Sequence, residues 1–303
     1  MAVSESKAAT PADLVTYARG RLLFRVIVDK AMGWVLLLAF VAVLFPLADM
    51  IYWISAKALP TFSVGTLTLD QVGTGGGLHS MIIGTFIILA LSTTIAVGIG
   101  VLSGIYTAEF APRRVAAAAR VAGYLLAGVP AIVLGYFGFY LLVIYTGWDY
   151  NTLAGGITLG IFMVPFIYRA TDLAFTNVPR DQREGALAMG ASRFQYLRRV
   201  ALPIAMPTML SGIFLAMALG LGETAPLVLT VGWSNTIPQT LLQPTGYLTG
   251  AIWNFYDFPS TYGHFQTLAF QAAFLLIVIV IVLNVLIQFI AERYRRKLRG
   301  LLG

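Results

Sequence analysis

The sequence predicts an all-α membrane protein with six transmembrane helices. Of its 303 residues, 58% are hydrophobic and only 11% are charged, whereas a soluble domain carries roughly 25% charged residues. Apolar runs of about 20 residues, the length that crosses a bilayer as a helix, recur six times. Lys and Arg residues cluster in every second segment that connects or flanks these runs. Transmembrane β-strands would instead show apolar and polar residues in alternation over segments of about 10 residues.

The predicted spans occupy residues 31–290, and their compact core is expected within 80–290. Residues 1–30 form a predicted cytoplasmic N-terminal segment without a cleavable signal peptide, because they are polar and mixed in charge. Residues 291–303 form a predicted basic cytoplasmic tail. The six spans are Ala31–Ser55, Met81–Tyr106, Val121–Tyr145, Leu153–Tyr168 with an extension to Ala174, Ile204–Val231 and Leu268–Ile290.

The distribution of charge predicts the orientation of the chain. Of the 20 Lys and Arg residues, all except Lys57 fall on one side of the six-span arrangement. The positive-inside rule therefore predicts that both termini lie in the cytoplasm. The net charge of +7 then indicates contact with a membrane surface rather than with nucleic acid.

The composition also limits the kinds of site that the chain can form. The chain contains no Cys, which excludes disulfides and thiolate metal sites. His79 and His264 lie in separate predicted outside loops, so no metal site is expected. The glycine cluster Gly73–Gly77 lacks the Gly-Lys-Ser/Thr of a phosphate-binding loop, and no lysine is followed by Ser or Thr. We expect a chain that binds no cofactor, has no catalytic residues and hydrolyses no ATP alone.

Small residues and prolines characterise the spans. GxxxG spacings at Gly100–Gly104 and Gly156–Gly160 allow helix backbones to approach closely. Pro130 and Pro165 lie in the middle of spans three and four, where proline permits a kink. These features favour a bundle that moves, and a static packed bundle is the alternative.

The segment between spans four and five interrupts the apolar pattern with arginines, a glycine and a proline. Asn177 is expected to cap a helix with Pro179 in its first turn, running to about Met189. Gly190 fits the left-handed position that ends such a helix.

A second helix is expected to follow directly. Ser192 and Gln195 have the spacing of a capping box, and Pro203 is expected to start the next span. The predicted apolar face of this second helix comprises Phe194, Leu197 and Ala201. The product is a helix–turn–helix elbow at the cytoplasmic surface, which either rests on lipid headgroups or docks on a cytoplasmic partner.

The elbow resembles the EAA loop of binding-protein-dependent ABC importer permeases. It has the spacing Glu184-x-Ala186-x3-Gly190-x9-Val200-x-Leu202-Pro203, with Gly185 where the family usually has Ala and Val200 in place of Ile. The resemblance implies a MetI-like fold and a coupling helix that contacts an ATP-binding subunit. The residues implied to make this contact are Glu184, Gly185, Ala186, Gly190, Leu202 and Pro203.

Most of residues 80–230 is similar to the phosphate-specific Pst branch of these permeases, and within it to the PstA type of subunit. The similar stretches are Ile82–Phe110, Leu125–Gly138, Val178–Pro203 and Leu221–Thr230. The last contains GETAPL, where the PstC type of partner usually reads GETMA. An importer of another oxyanion, molybdate or sulfate, is the alternative, and GETAPL argues against it.

The resemblance also implies a location and a set of partners. It implies a multi-pass protein of the bacterial inner membrane that forms half of a transmembrane pathway with a second, PstC-type permease chain. Two PstB-type subunits would bind ATP and Mg, and a PstS-type extracytoplasmic protein would deliver phosphate. The lipid bilayer surrounds the chain, and no nucleic acid is expected.

The GETAPL stretch places a carboxylate about 19 residues into the fifth predicted span. An intramembrane Glu is costly and is by default a functional candidate. One interpretation is that Glu223 takes part in gating the transport pathway or pairs with a basic group. The alternative is a local hydrogen bond to a backbone group that Pro226 leaves without its helical partner. The family often has Arg four residues earlier, where this chain has Leu219. The candidate translocation and gating residues are Gly222, Glu223, Thr224, Pro130 and Pro165.

Overall fold

The computed structural model describes residues 11–73, 75–256 and 263–302. Within these ranges the chain is helical, without a strand and with one isolated β-bridge between Val72 and Gly75. The predicted terminal segments 1–30 and 291–303 and the predicted outside loop Gly232–Thr267 each extend into residues outside these ranges.

The chain divides into two compact units. The first consists of helix α1 up to Trp53, and the second begins at Ile54. Helix α1 covers Pro11–Ala58 and includes Pro46. Its stretch Val28–Thr61 is long and apolar enough to cross a membrane, in agreement with the first predicted span.

The remaining helices follow in the second unit. They are α2 (Val64–Thr68), α3 (His79–Ile105), α4 (Arg113–Ala127), α5 (Ala131–Gly138), α6 (Thr152–Thr176), α7 (Arg180–Ala188), α8 (Arg193–Tyr196), α9 (Leu202–Gly222), α10 (Ala225–Thr230), α11 (Leu248–Tyr256) and α12 (Gly263–Leu302). The π-helical segments Tyr106–Phe110, Phe139–Tyr145 and Leu197–Ala201 extend α3 and α5 and join α8 to α9. Within the described ranges, five helical stretches could each cross a membrane, and the bent pair α4–α5 counted as one span gives the six predicted.

The two predicted GxxxG pairs pack against the same interface, between α3 and α6. A Cβ at Gly100 would lie 2.9 Å from Ile167, and one at Gly104 would lie 2.6 Å from Thr171. Gly160, on α6, faces Ile95 of α3. The missing side chains therefore let the two backbones approach closely, as the sequence predicts. Ala216 of α9, Leu227 of α10 and Val231, which follows α10, help to complete the core around this pair.

The third span is broken rather than kinked. Helices α4 and α5 meet at 93° across Gly128–Pro130. Pro130 has no N–H and disfavours a helical conformation at the residue before it. Helix α4 begins at Arg113, earlier than the predicted Val121. Pro165 behaves differently, because α6 continues through it and buries it.

The fifth span ends earlier than the predicted Ile204–Val231. Helix α9 ends at Gly222, and α10 begins at Ala225 with Pro226 in its first turn. A helix running through Pro226 would press the proline ring against the carbonyl of Gly222. Hydropathy reports the environment of these residues and not the continuity of their helix, so the sequence analysis missed the break.

The predicted outside loop Gly232–Thr267 contains a helix, α11. Phe255 of α11 is buried, and Trp233 packs edge-on against it with ring centroids 5.5 Å apart. Leu248 and Ala251 belong to the same apolar cluster as Leu268 of α12. The described part of this region is therefore folded around α11 and packed on α12.

The close approach of α3 and α6 predicts that Gly104→Ala destabilises the bundle. The added methyl would contact Thr171 at 2.6 Å and the backbone carbonyl of Tyr168 at 3.0 Å, so we expect a cost of about 1–3 kcal/mol from overpacking. Thermal unfolding of the detergent-solubilised protein measures this. Gly98→Ala on the same helix is the control, because its methyl meets no described atom within 4 Å. Equal melting temperatures for the two variants would contradict the prediction.

Candidate functional site

The turn of the elbow has the geometry that the sequence predicts. Gly190 has a φ of 84°, a left-handed conformation that favours glycine. The N–H of Ala191 donates to the carbonyl of Ala186, and the N–H of Gly190 donates to that of Leu187. This pair of bonds is a Schellman motif, which satisfies carbonyls at the end of α7.

The first cap of the elbow differs from the prediction. Asn177 ends α6, and Pro179 is the N-terminal cap of α7, which covers Arg180–Ala188. Asn177 is helical at its own φ and ψ, so it finishes the preceding helix. Pro179 disfavours a helical conformation at Val178 and thereby separates the two helices.

The capping box of the second helix is confirmed. The N–H of Ser192 donates to Oε1 of Gln195 at 2.8 Å, and the N–H of Gln195 donates to Oγ of Ser192 at 3.2 Å. The two bonds satisfy amides that the first turn of a helix leaves free.

The second elbow helix does not stop where the span was predicted to start. Helix α8 runs through the π-helical segment Leu197–Ala201 into α9, so that Arg193–Gly222 forms one helical stretch. The N–H of Leu202 donates to the carbonyl of Leu197, five residues earlier. Pro203 lacks the N–H that an α-helix needs at this point, and a π-helical turn absorbs such a defect.

The underside of the elbow packs onto the ends of α3 and α6. Three elbow side chains lie in this apolar cluster: Ala186, Tyr196 and Ala201. Their neighbours include Phe175 and Val178 at the end of α6 and Ile105 of α3. The predicted apolar face is wrong in one position, because Phe194 is 66% exposed and Tyr196 is buried in its place.

One buried carboxylate ties the elbow to the end of α3. Glu109 lies in the π-helical turn after α3, and its side chain is 6% exposed. Its Oε2 is 3.3 Å from Nη2 of Arg183, and its Oε1 accepts from the Tyr196 hydroxyl at 3.4 Å. The Arg183 guanidinium also lies 5.7 Å from the centre of the Tyr196 ring. Both elbow helices are therefore bonded to one side chain of the second span.

Other side chains of the elbow are exposed. Glu184 is exposed and forms no ion pair with any described residue. Two apolar side chains of the elbow are also exposed, Met189 by 86% and Phe194 by 66%. A carboxylate among exposed apolar side chains on a rigid turn is typical of a docking surface rather than of a solvated loop.

The motif GETAPL forms the break between α9 and α10. Glu223 has an extended backbone, its N–H donates to the carbonyl of Gly220, and its own carbonyl accepts from Oγ1 of Thr249 at 3.0 Å. Thr224 caps α10, and Gly222 is exposed. The Glu223 side chain is half-buried and has no ion-pair partner within the described ranges.

The two broken spans meet beyond their breaks. A Cβ at Gly135 of α5 would lie 2.8 Å from Cα of Pro226 in α10. The segments that follow Pro130 and Glu223 therefore pack against each other, while Pro165 stays inside an unbroken helix. Of the predicted gating residues, Pro130 directly precedes α5 and Gly222, Glu223 and Thr224 directly precede α10, so they begin the two helices of this packed pair.

Sequence reasoning missed the contacts of Glu109. The available signal was a lone carboxylate at the end of a long apolar run, in IYTAEF. The amino-acid sequence alone did not reveal the partner of Glu109, because Arg183 lies 74 residues later. The ion pair between Arg120 of α4 and Asp172 of α6 was missed for the same reason.

A bundle of membrane-length helices with a helix–turn–helix elbow between its fourth and fifth spans is the arrangement that the sequence analysis expects of a transport permease. Residues 100–300 match the family model of the binding-protein-dependent transport system inner membrane component. The chain belongs to this family, and the predicted resemblance to ABC importer permeases is confirmed.

Several similar proteins are named as phosphate transport permeases. The phosphate transport system permease protein PstA 2 of Mycobacterium bovis is 41% identical over 263 residues, which cover 86% of each chain. The phosphate transport system permease protein PstA of Haemophilus influenzae is 31% identical over 249 residues, covering 80% of this chain and 86% of that one.

Solved structures agree with the predicted fold. The inward-facing MetNI methionine ABC transporter has a chain that matches with a TM-score of 0.54 at 18% identity, covering 70% of this chain and 93% of that one. A bacterial alginate ABC transporter matches with a TM-score of 0.64 at 15% identity, covering 90% and 98%. At these identities the match concerns the fold alone.

The left-handed turn predicts that Gly190→Ala loosens the elbow. An alanine at this φ costs about 1–2 kcal/mol, although its methyl would meet no described atom within 4 Å. We expect faster amide exchange at residues 186–195 of the purified protein. The matched control is Gly185→Ala in α7, which also meets no described atom and should slow exchange, since Ala favours a helix by up to about 1 kcal/mol. Protection that is unchanged in Gly190→Ala would contradict the prediction.

The buried carboxylate predicts that Arg183→Gln detaches α7 from the second span. Because the Arg183 side chain is 43% exposed, we expect a loss of only about 1–2 kcal/mol of local stability, or roughly 5–30-fold faster amide exchange in α7. Arg180→Gln is the control, because Arg180 is an exposed arginine of the same helix with no ion pair in the described part of the chain. Equal exchange in the two variants would argue against the link.

Proposed function

We propose that this chain is the permease subunit of an ATP-driven phosphate importer. The observation that carries the proposal is the similarity over 86% of the chain to a permease named for phosphate transport. The GETAPL stretch that distinguishes the PstA type lies at the break of the fifth span. A molybdate or sulfate importer remains the alternative, and no feature of the break favours it.

The elbow is the proposed contact with an ATP-binding subunit. Glu184 and the exposed apolar side chains around it supply one charge and a hydrophobic surface, which suit a groove on a cytoplasmic protein. Gly185, Ala186 and Gly190 shape the turn, and Leu202 and Pro203 continue it into α9. ATP and Mg are bound by two copies of that partner, and this chain binds no cofactor of its own.

The transport pathway forms between this chain and a second permease chain. We place both termini in the cytoplasm of a bacterial cell and the chain in the inner membrane, on the distribution of Lys and Arg. An extracytoplasmic binding protein delivers phosphate to the side opposite the elbow. Closure of the ATPase dimer draws the elbows together, and α9 carries that movement to the break at Glu223.

The coupling role predicts that Glu184→Lys abolishes transport without loss of the protein. Reversing one charge on a docking surface costs several kcal/mol, so uptake of radiolabelled phosphate at low micromolar concentration should fall at least about tenfold. Cells that lack the gene are compared with cells that carry the intact or the mutated gene, with membrane levels measured by immunoblot.

The control variant is Asp29→Lys, which makes the same charge reversal at an exposed position of α1. Competition with arsenate, molybdate and sulfate tests the substrate, and only arsenate should block uptake. Uptake that is independent of the gene, in cells without another high-affinity phosphate system, would overturn the phosphate assignment. Block by molybdate or sulfate would favour the alternative anion.

A further inference from the structure

A cavity of about 610 Å³ lies between α4, α6 and α9. This volume falls within the range of small-molecule sites, roughly 300–1,000 Å³. The cavity reaches Thr176, where α6 ends just before the elbow, and Gly212 and Leu215 of α9 form another wall. It therefore lies in the half of the bundle next to the elbow, away from the break at Glu223.

One ion pair organises the wall of this cavity. Nε of Arg120 donates to Oδ2 of Asp172 at 2.8 Å, and Nη2 donates to Oδ1 at 3.0 Å. Nη2 also lies 3.5 Å from Oγ1 of Thr176. A guanidinium has five N–H donors, so this bidentate pair fixes the orientation of Arg120 and leaves donors available on Nη1.

A second arginine carries a charge without a counter-ion. The Arg169 guanidinium lies 4.5 Å from the centre of the Tyr124 ring, and both residues line the cavity. Arg169 forms no ion pair with any residue that the structure describes. The net charge of the ionised lining side chains is therefore positive.

One residue of the cavity wall has a buried hydroxyl without a partner. Tyr168 also lines the cavity and is only 6% exposed. Its hydroxyl is buried with no hydrogen-bond partner among the described residues, an arrangement that is costly unless a ligand or water satisfies the group. Gly123 of α4 makes room for the ring, because a Cβ there would lie 2.6 Å from its Cε1.

We propose that this cavity binds an oxyanion such as phosphate, with Arg169 as its charged contact and Arg120 oriented beside it by Asp172. The unpartnered Tyr168 hydroxyl is the second donor, which reaches the anion by a shift of its ring. The inference rests on the proposed function, because the ligand is the transported phosphate ion on its way from the break at Glu223 to the cytoplasm. The remaining walls are apolar and Asp172 repels the anion, so binding is weak, as release into the cytoplasm requires.

The test uses the complete transporter, with its second permease chain and its ATPase. Binding of radiolabelled orthophosphate to the purified complex is measured without the binding protein, and uptake is measured in phosphatidylcholine vesicles with it. Arg169→Gln should weaken binding about tenfold, since it removes a charge-assisted hydrogen bond. Tyr168→Phe should weaken it several-fold, and both variants should slow uptake.

Asp172→Asn separates a binding role from a structural one. Loss of the carboxylate removes an ion pair, so a purely structural role predicts weaker binding and a less stable complex. Under the proposal, binding strengthens several-fold instead, because the repulsion of the anion disappears and Arg120 becomes free to contact it. Arg114→Gln is the control for the loss of a positive charge, because Arg114 is exposed near the start of the same helix, α4.

Each result decides between the proposals. If the wild-type complex takes up phosphate and Arg169→Gln and Tyr168→Phe bind and transport as it does, the cavity site is overturned while the proposed function stands. If the wild-type complex takes up no phosphate, the proposed function fails and the inference fails with it. If Arg169→Gln reduces co-purified phosphatidylglycerol and leaves orthophosphate binding unchanged, the ligand is a lipid headgroup and the proposal is overturned.

Discussion

The close contact between α3 and α6 is the constraint on which the rest of the structure depends. Glycines on both helices remove the side chains that would separate the backbones, so Gly104 packs on Thr171 and Gly160 packs on Ile95. In a bilayer no hydrophobic force holds helices together, and close packing of this kind replaces it. The end of α3 carries Glu109 and the end of α6 leads into α7, so the same contact provides the platform on which the elbow rests.

The helix Arg193–Gly222 connects the elbow to the membrane interior as a single rod. Its 30 residues span about 45 Å at 1.5 Å per residue. A rod transmits displacement, whereas a hinge absorbs it. The breaks in the spans lie elsewhere, at Gly128–Pro130 and at Gly222–Thr224, and the segments beyond them pack against each other through Gly135 and Pro226. In the proposed mechanism, movement of the elbow reaches the Glu223 break along this one continuous helical stretch, whose least regular part is the π-helical turn Leu197–Ala201.

The sequence predicts the features that depend on local chemistry or on average environment. Periodic apolar runs predict the spans, Gly190 predicts the left-handed turn, and Ser192 with Gln195 predicts the capping box. It does not predict what depends on contacts between distant residues. Glu109 finds Arg183 only after α3 and α6 have packed. The break before Pro226 was available to sequence reasoning, but the uniform hydropathy of Ile204–Val231 concealed it.

The position of α9 links the proposed anion site to the proposed coupling movement. Gly212 and Leu215 of α9 line the cavity, and a Cβ at Gly212 would overlap Ala170 of α6. The rod that carries the elbow movement to Glu223 is therefore also a wall of the site that holds Arg169. A shift of α9 relative to α6 changes the spacing of the cavity walls at the same moment as it changes the break. One rigid element can then open the break and alter the affinity of the inner site together, which is what vectorial release of a bound anion requires.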